Sequence, residues 1–325
     1  MRKLSSLIAV LAIYLAACQS TGKKEEQAGN ETPATTNSIP IPAFQADSAY
    51  AYTQKQVSFG PRIPGTPAQQ QCADWLLSAF RPLADTVYVQ RTTVDAPGKK
   101  GVPCINIIAT FNPAATQRIL LLAHWDTRPH ADQDAFDKQK TLDGADDGAS
   151  GVGLLLEAAR QFHLQKPTIG VDILLTDVED MGVSENEDSY CLGTQYWAKN
   201  PHVPGYKANY GILFDMVGGR GSQFYMEAAS RQYAYGPMKA FWDVANSLGY
   251  SDLFRYENNG AGITDDHIYV NTLAKIPTFD IIALQANGGF APHWHTQNDN
   301  ISVIDPRTLK AVGQTLLQVI YAKPF

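Results

Sequence analysis

The sequence predicts an α/β fold in which a mixed, largely parallel central sheet is flanked by helices on both faces. Segments with the apolar pattern of strands alternate with segments of helical period along most of the 325-residue chain. Such alternation is typical of a largely parallel sheet. The segments at 119–122 and 173–175 are apolar on both faces, which is the pattern of interior strands covered by helices on each side.

The predicted elements follow one another in a regular order. Helical patterns open the domain at residues 44–58 and 67–80. Strands are predicted at residues 86–92, 104–111, 118–124, 171–176, 210–215 and 276–282. Further helices are predicted at residues 151–165, 191–199, 234–248 and 306–321. In the first of these, Val152, Leu155, Leu156 and Ala159 fall on one face, as a helix packed against a sheet requires.

The first 17 residues have the pattern of a secretory signal. Arg2 and Lys3 precede an apolar run at residues 7–15, which is shorter than the roughly 20 residues that a membrane-spanning helix needs. The run ends in Leu-Ala-Ala followed by Cys18. This ending resembles a bacterial lipobox, in which the cysteine is lipidated and becomes the first residue of the mature chain. We therefore expect a membrane anchor at Cys18 and an outer-membrane lipoprotein that faces the periplasm or the cell surface.

Residues 18–42 predict a flexible tether. They are rich in Lys, Glu, Thr, Asn, Ala and Pro and offer few large apolar side chains. A segment of this composition cannot bury enough surface to offset its ordering entropy. The sequence thus predicts a signal peptide at 1–17, a lipidated tether at 18–42 and a single catalytic α/β domain at 43–325.

Charge and cysteine content exclude some functions. The formal net charge is −6 and no basic cluster is present, so we expect no nucleic-acid partner. Cys72, Cys104 and Cys191 are odd in number and show no Cys-x-x-Cys spacing. Buried thiols are the expected state, and a disulfide among the three stays open. We expect a monomer.

Carboxylates and histidines collect at the ends of the predicted strands. In chain order they are His124, Asp126, Asp146, Asp147, Glu179, Asp180, Asp215, Asp265, Asp266, His267 and His295. Ligands of open α/β sheets bind beyond the carboxyl ends of the strands. A divalent cation offsets the mutual repulsion of such carboxylates, and mixed His, Asp and Glu ligands suit zinc. The sequence therefore predicts a zinc site at this edge of the sheet.

Over residues 44–321 these residues resemble the co-catalytic zinc aminopeptidase superfamily. The superfamily pattern is His-x-Asp, Asp, Glu-Glu, Asp and His, and it holds two zinc ions in the peptidases. The matching positions are His124 with Asp126, Asp147, Glu179 with Asp180, Asp215 and His295. Asp147 is preferred over Asp146 because the ligand takes the fourth place of Gly-Ala-x-Asp. The chain departs at Asp180, which is one methylene shorter than the usual Glu and still a zinc ligand.

Three features resemble the glutaminyl cyclases of this superfamily, as found in Bacteroidetes-type bacteria, which use a single zinc. Asp265 extends Asp-His to Asp-Asp-His, where peptidases usually have Ser-Asp-His. Trp294 directly precedes His295, and Asp180 follows Glu179. The resemblance implies an acyltransferase that closes the N-terminal glutamine of peptides into pyroglutamate and releases ammonia. The alternative is a di-zinc aminopeptidase; the intact ligand set argues against a metal-free binding protein.

The resemblance also implies a role for each residue. Asp147, Asp180 and His295 would bind one zinc ion, and Glu179 would serve as general base and then acid. Asp215 and Asp265 would share a proton and hold the substrate, while Ile263, Thr264 and Trp294 would line its side chain. His124 and Asp126 would support the site without binding the zinc ion, with Asp126 orienting His124. Asp266 and His267 are expected to form a local hydrogen-bonded pair, and His130 and His293 receive no role.

Overall fold

The computed structural model describes residues 40–260, 262–322 and 324. Cys18 and nearly all of the predicted tether therefore lie outside the described residues. The domain begins a little earlier than the predicted residue 43. Ile41 packs against the hydrophobic core, and the carbonyl of Pro42 accepts a hydrogen bond of 3.1 Å from Nε2 of Gln314. These two contacts extend the domain into the end of the predicted tether.

Eight strands are present among the described residues, and six of them form the central sheet. They are β1 (Thr86–Ala96), β2 (Lys99–Phe111), β3 (Arg118–His124), β4 (Gly170–Thr176), β5 (Tyr210–Asp215), β6 (Phe224–Tyr225), β7 (Phe254–Arg255) and β8 (Thr278–Ile282). The sheet order is β1-β2-β4-β3-β5-β8, and β6 pairs with β7 separately. The pairs β1–β2 and β2–β4 are antiparallel, whereas β4, β3, β5 and β8 run parallel. The predicted mixed, largely parallel sheet is confirmed.

Seven α-helices accompany these strands in the described part of the chain. They are α1 (Ala46–Val57), α2 (Pro67–Phe80), α3 (Ala149–Leu164), α4 (Leu192–Lys199), α5 (Ala228–Ser247), α6 (Asp266–Tyr269) and α7 (Pro306–Ala322). No described helix combines the length and apolar character that a bilayer crossing requires.

Successive strand residues point to opposite sides, so each face of the sheet presents its own apolar side chains. Helices pack against both faces. In β3, Ile119 and Leu121 join the larger core with the helices α1, α3, α5 and α7. Leu120 and Leu122 join a second core with Trp197 of α4. The alternation explains why this strand has no polar position between Arg118 and His124.

The helix α5 begins six residues earlier than predicted, at Ala228 rather than at Ala234. Its first turn is capped by the carboxylate of Glu227, which accepts hydrogen bonds from the backbone of Ala229 and Ser230. The backbone is non-helical at Ala234 (φ −141°, ψ 37°), so two helical pieces meet there. Pro237 falls in the first turn of the second piece, where a missing N–H costs little. The prediction identified only the second piece.

Candidate active site

Three side chains meet at the carboxyl edge of the parallel strands as a possible metal site. Asp147, Asp180 and His295 place one ligand atom each within 4.8 Å of one another. All three residues are buried, and Nε2 of His295 lies 3.3 Å from Oδ1 of Asp180. The Oδ2 atoms of Asp147 and Asp180 are buried without a hydrogen-bond partner. Buried carboxylate oxygens of this kind are costly unless a cation meets them, so the set fits zinc with a fourth position open.

The electrostatics of this group favour positive charge. Burial alone lowers the pKa of His295, but the carboxylates of Asp180 and Asp132 outweigh it and raise the pKa to about 10. Burial also raises the pKa of Asp180, and the nearby charge of Asp147 raises it further. The field that favours a proton here equally favours a divalent cation.

The loop before α3 fixes the position of Asp147. The carboxylate of Asp299 accepts the backbone N–H groups of Asp146 and Asp147, at 2.7 and 3.2 Å. The fully buried Arg62 donates to the carbonyl of Gly144 at 2.7 Å. The chain then turns at Gly148 with φ 94°, where an added Cβ would lie only 2.8 Å from the carbonyl oxygen of Asp126. Glycine is therefore required between the ligand and its helix.

Asp146, the neighbour of Asp147, has a different environment. Its Oδ1 accepts the backbone N–H of Gly218 at 2.8 Å, and its Oδ2 lies 2.8 Å from Nε2 of His293. Both of its oxygens are thus occupied by protein groups. His293, to which the sequence assigned no role, is the histidine that holds Asp146 in place.

The turn after β4 carries Glu179 and Asp180, and Asp126 holds it. The two carboxylate oxygens of Asp126 accept the backbone N–H groups of Glu179 and Asp180, at 3.1 and 3.2 Å. Val178, directly before them, adopts φ 55°, an uncommon conformation for a β-branched residue. Asp126 lies farther from Nδ1 of His124, at 3.5 Å. In this structure Asp126 supports the turn more than the histidine.

His124 lies between two carboxylates. Its Nε2 is 3.0 Å from Oδ1 of Asp147 and 3.3 Å from Oδ1 of Asp215. Burial lowers the pKa of His124, but the nearby carboxylates of Asp126, Asp147 and Asp215 raise it well above its ordinary value. His124, Asp147 and Asp215 also satisfy the spacing of a second metal-binding group. This corner of the site thus accepts either an imidazolium or a second cation.

Glu179, Asp265 and Asp215 are buried carboxyl groups whose pKa values are raised. Burial raises the pKa of Glu179 well above its usual range, and the charge of Asp180 raises it further. Burial and then the charge of Asp215 raise the pKa of Asp265 in the same way. Burial raises the pKa of Asp215 to about 6. A raised pKa moves a carboxyl group toward the range in which general acids and bases work.

A cavity of about 250 Å³ opens onto these groups. It is lined by Asp147, Glu179, Asp180, Ser184, Glu187, Tyr190, Asp215, Ile263, Thr264, Asp265, Ile282, Phe290, Trp294 and His295. The ring of Trp294 stacks on His295, with centroids 3.7 Å apart, and on Phe290, with centroids 4.2 Å apart. The residues predicted to line the substrate side chain, Ile263, Thr264 and Trp294, all border this cavity. Its apolar wall and small volume suit one short side chain.

The predicted pair of Asp266 and His267 is wrong. Oδ2 of Asp266 accepts a hydrogen bond of 2.5 Å from the hydroxyl of Thr176, across to the end of β4. His267 points the other way, with Nε2 3.4 Å from Oε1 of Glu227. Adjacent residues at the start of α6 project in different directions, so a local pair cannot form.

The sequence reasoning missed several groups that contact the site. Cys191 is a free, buried thiol whose Sγ lies 3.2 Å from Oε1 of Glu179. Asp132 lies 3.1 Å from Nδ1 of His295, and Arg128 contacts Asp132 and Asp180. His130 is exposed and bonds to the carbonyl of Gln139. Arg128 and Asp132 follow His124 and Asp126 closely in the chain. This proximity was the one feature of the sequence that could have indicated that they lie near the site.

Comparison with known proteins adds independent findings. Residues 106–320 match the model of peptidase family M28. The glutaminyl-peptide cyclotransferase of Bos taurus is 25% identical over 297 residues, which cover 78% of this chain and 76% of that protein. The crystal structure of Tannerella forsythia glutaminyl cyclase is 49% identical, with a TM-score of 0.84 over 86% of this chain and 99% of the other. A Zn-dependent exopeptidase from Parabacteroides distasonis is 48% identical, with a TM-score of 0.85 over 87% and 100%.

Proposed function

The chain belongs to peptidase family M28, and on that premise we propose that it is a zinc-dependent glutaminyl-peptide cyclotransferase. It converts the N-terminal glutamine of peptides and proteins to pyroglutamate and releases ammonia. Its cyclotransferase and glutaminyl cyclase relatives support this activity. The observation in the structure that carries the proposal is the cavity itself, in which Glu179, Asp215 and Asp265 face the group of possible metal ligands.

The residues supply the steps that cyclisation requires. Zinc held by Asp147, Asp180 and His295 would act as a Lewis acid that polarises the γ-carbonyl of the substrate. Glu179 accepts a proton from the α-amine as the new carbon–nitrogen bond forms, and returns it to the departing ammonia as the amide bond breaks. Asp215 and Asp265 hold the amine and the amide nitrogen in attacking geometry. Because the reaction is intramolecular, this positioning provides much of the acceleration.

We propose one zinc ion per chain. The ligand group of Asp147, Asp180 and His295 retains unpartnered buried oxygens, which supports a cation there. In the second group, Nε2 of His124 lies 3.0 Å from Asp147 and 3.3 Å from Asp215. The motifs Asp-Asp-His at His267 and Trp-His at His295 resemble those of the single-zinc glutaminyl cyclases and support one ion over two.

A second candidate is a di-zinc aminopeptidase. Two observations favour it: the spacing of His124, Asp147 and Asp215, and the similarity to a solved structure described as a Zn-dependent exopeptidase. In that reading His124 is a zinc ligand and water, rather than the substrate amine, is the nucleophile.

An assay of two substrates separates the candidates. We expect the purified protein to release ammonia from a peptide that begins with glutamine, and to leave leucine anilide intact. The paired measurement is ammonia release beside absorbance of the freed aniline, at one enzyme concentration. Hydrolysis of the anilide without ammonia release would replace the proposal with the aminopeptidase.

We further propose that Cys18 is lipidated and anchors the protein in the outer membrane, facing the periplasm or the cell surface. The support is the sequence Leu-Ala-Ala-Cys after a short apolar run. Cys18→Ser is expected to leave turnover unchanged and to move the protein from the membrane to the soluble fraction, since Cys18 is the proposed anchor and not one of the proposed catalytic residues. Fractionation of processed protein measures this, and a Cys18→Ser chain that still sediments with membranes contradicts it.

A further inference from the structure

The segment between β3 and α3 contains a charged group that the mechanism above does not use. Oδ1 of Asp132 lies 3.1 Å from Nδ1 of His295, on the side of the ring opposite Nε2. Oδ2 of the same carboxylate contacts Arg128, at 3.0 Å from Nε and 2.5 Å from a terminal nitrogen. The Asp132 carboxylate is therefore shared between a histidine of the metal group and an arginine.

Arg128 also reaches the second member of that group. Its Nη1 lies 3.2 Å from Oδ1 of Asp180 and 3.1 Å from the carbonyl oxygens of Asp180 and Gly182. The side chain of Arg128 is only 11% exposed, so these bonds are largely shielded from water. The guanidinium of Arg128 thus contacts Asp180 directly and is linked to His295 through the carboxylate of Asp132.

We propose that Arg128 and Asp132 are positioning residues that hold Asp180 and His295 in the geometry that zinc needs. This inference rests on the proposed zinc-dependent function. A carboxylate on the second ring nitrogen fixes which nitrogen of His295 is free to bind metal, and it increases the basicity of that nitrogen. The fork of an arginine can meet several acceptors at fixed angles, whereas a lysine presents a single flexible ammonium.

Positioning and simple charge make opposite predictions for Arg128. Arg128 is a cation beside the site, so its removal makes the site more negative. If the charge alone mattered, the loss of Arg128 would tighten zinc binding. If Arg128 holds the ligands in place, its loss weakens zinc binding despite the more negative field.

The experiment measures the zinc dissociation constant of the full chain by competition with a chelator, with zinc as the only added ligand. Arg128→Met and Asp132→Ala are each expected to weaken zinc binding by about 10–100-fold. Arg128→Lys keeps the charge but cannot span the same acceptors, so it should remain closer to Arg128→Met than to wild type. Asp137→Asn is the matched control, because Asp137 lies on the same loop and its carboxylate accepts a hydrogen bond from the backbone N–H of Gln139, away from the ligand group. Its affinity should equal that of wild type.

Two further measurements keep the result interpretable. Thermal unfolding of the chelated proteins tests whether each variant folds, and Asp132→Asn, which keeps the shape of the side chain, replaces any variant that does not. The visible spectrum of the cobalt-substituted protein reports the ligand geometry and should change in Arg128→Met but not in Asp137→Asn.

Folded Arg128→Met and Asp132→Asn proteins that bind zinc as tightly as wild type, or more tightly, overturn the inference. Failure of the proposed function looks different. In that case wild-type protein binds zinc but releases no ammonia from glutamine peptides, while the dependence of affinity on Arg128 and Asp132 persists.

Discussion

Glu179→Gln is expected to lower turnover of a glutamine peptide by about 10²–10⁴-fold, the usual contribution of a general acid–base group. Glutamine keeps the shape of the side chain but cannot carry the proton from the amine to ammonia. Burial raises the pKa of Glu179 well above its usual range, which suits a group that must accept a proton and then return it. Zinc content should stay at the wild-type level, because the proposed ligand group of Asp147, Asp180 and His295 does not include Glu179. Ammonia release and metal analysis of the same preparation measure both quantities.

Glu185→Gln is the matched control for this substitution. Glu185 is exposed and lies on the same loop, outside the residues that line the cavity. The control should retain wild-type turnover. A Glu179→Gln enzyme that cyclises glutamine peptides at a near wild-type rate would remove Glu179 from the mechanism.

Asp180→Ala is expected to lose zinc and activity together. In the proposed site Asp180 would supply one of three ligand atoms, and its removal would leave two side chains, which is fewer than the three protein ligands of catalytic zinc sites. Wild-type protein should hold one zinc per chain. Metal analysis after dialysis, followed by ammonia release, measures the effect, and added zinc at moderate concentration should restore little activity.

Asp180→Glu provides the control for the loss of the ligand. It restores the residue of the superfamily pattern and keeps a carboxylate, so it should retain zinc. If Asp180→Ala binds zinc like wild type, Asp180 is not a ligand. If wild-type protein holds two zinc ions and needs both, the single-zinc proposal fails and the aminopeptidase reading gains support.

The order of strands and helices was largely readable from the sequence. Local hydrophobic periodicity reflects which faces of an element are buried, so 67–80, 118–124 and 210–215 agree with α2, β3 and β5. The sequence did not indicate that α5 begins with a separate turn, because that turn depends on a cap from Glu227 rather than on an apolar period. Strand order also required the structure, since hydrogen bonds between strands join residues that are far apart in the chain.

The site likewise combines features that the sequence predicted with features that only the structure shows. By itself the sequence determined which acids and histidines stand at the strand ends, and a family pattern in chain order distinguished Asp147 from Asp146. Only the tertiary structure decided what surrounds them: Asp132 meets His295 across 163 positions, and Asp299 meets Asp146 across 153. Side chains this far apart are brought together by the packing of loops at one sheet edge. Motif spacing indicates the candidate ligands, but it carries no information about contacts that depend on how those loops fold against one another.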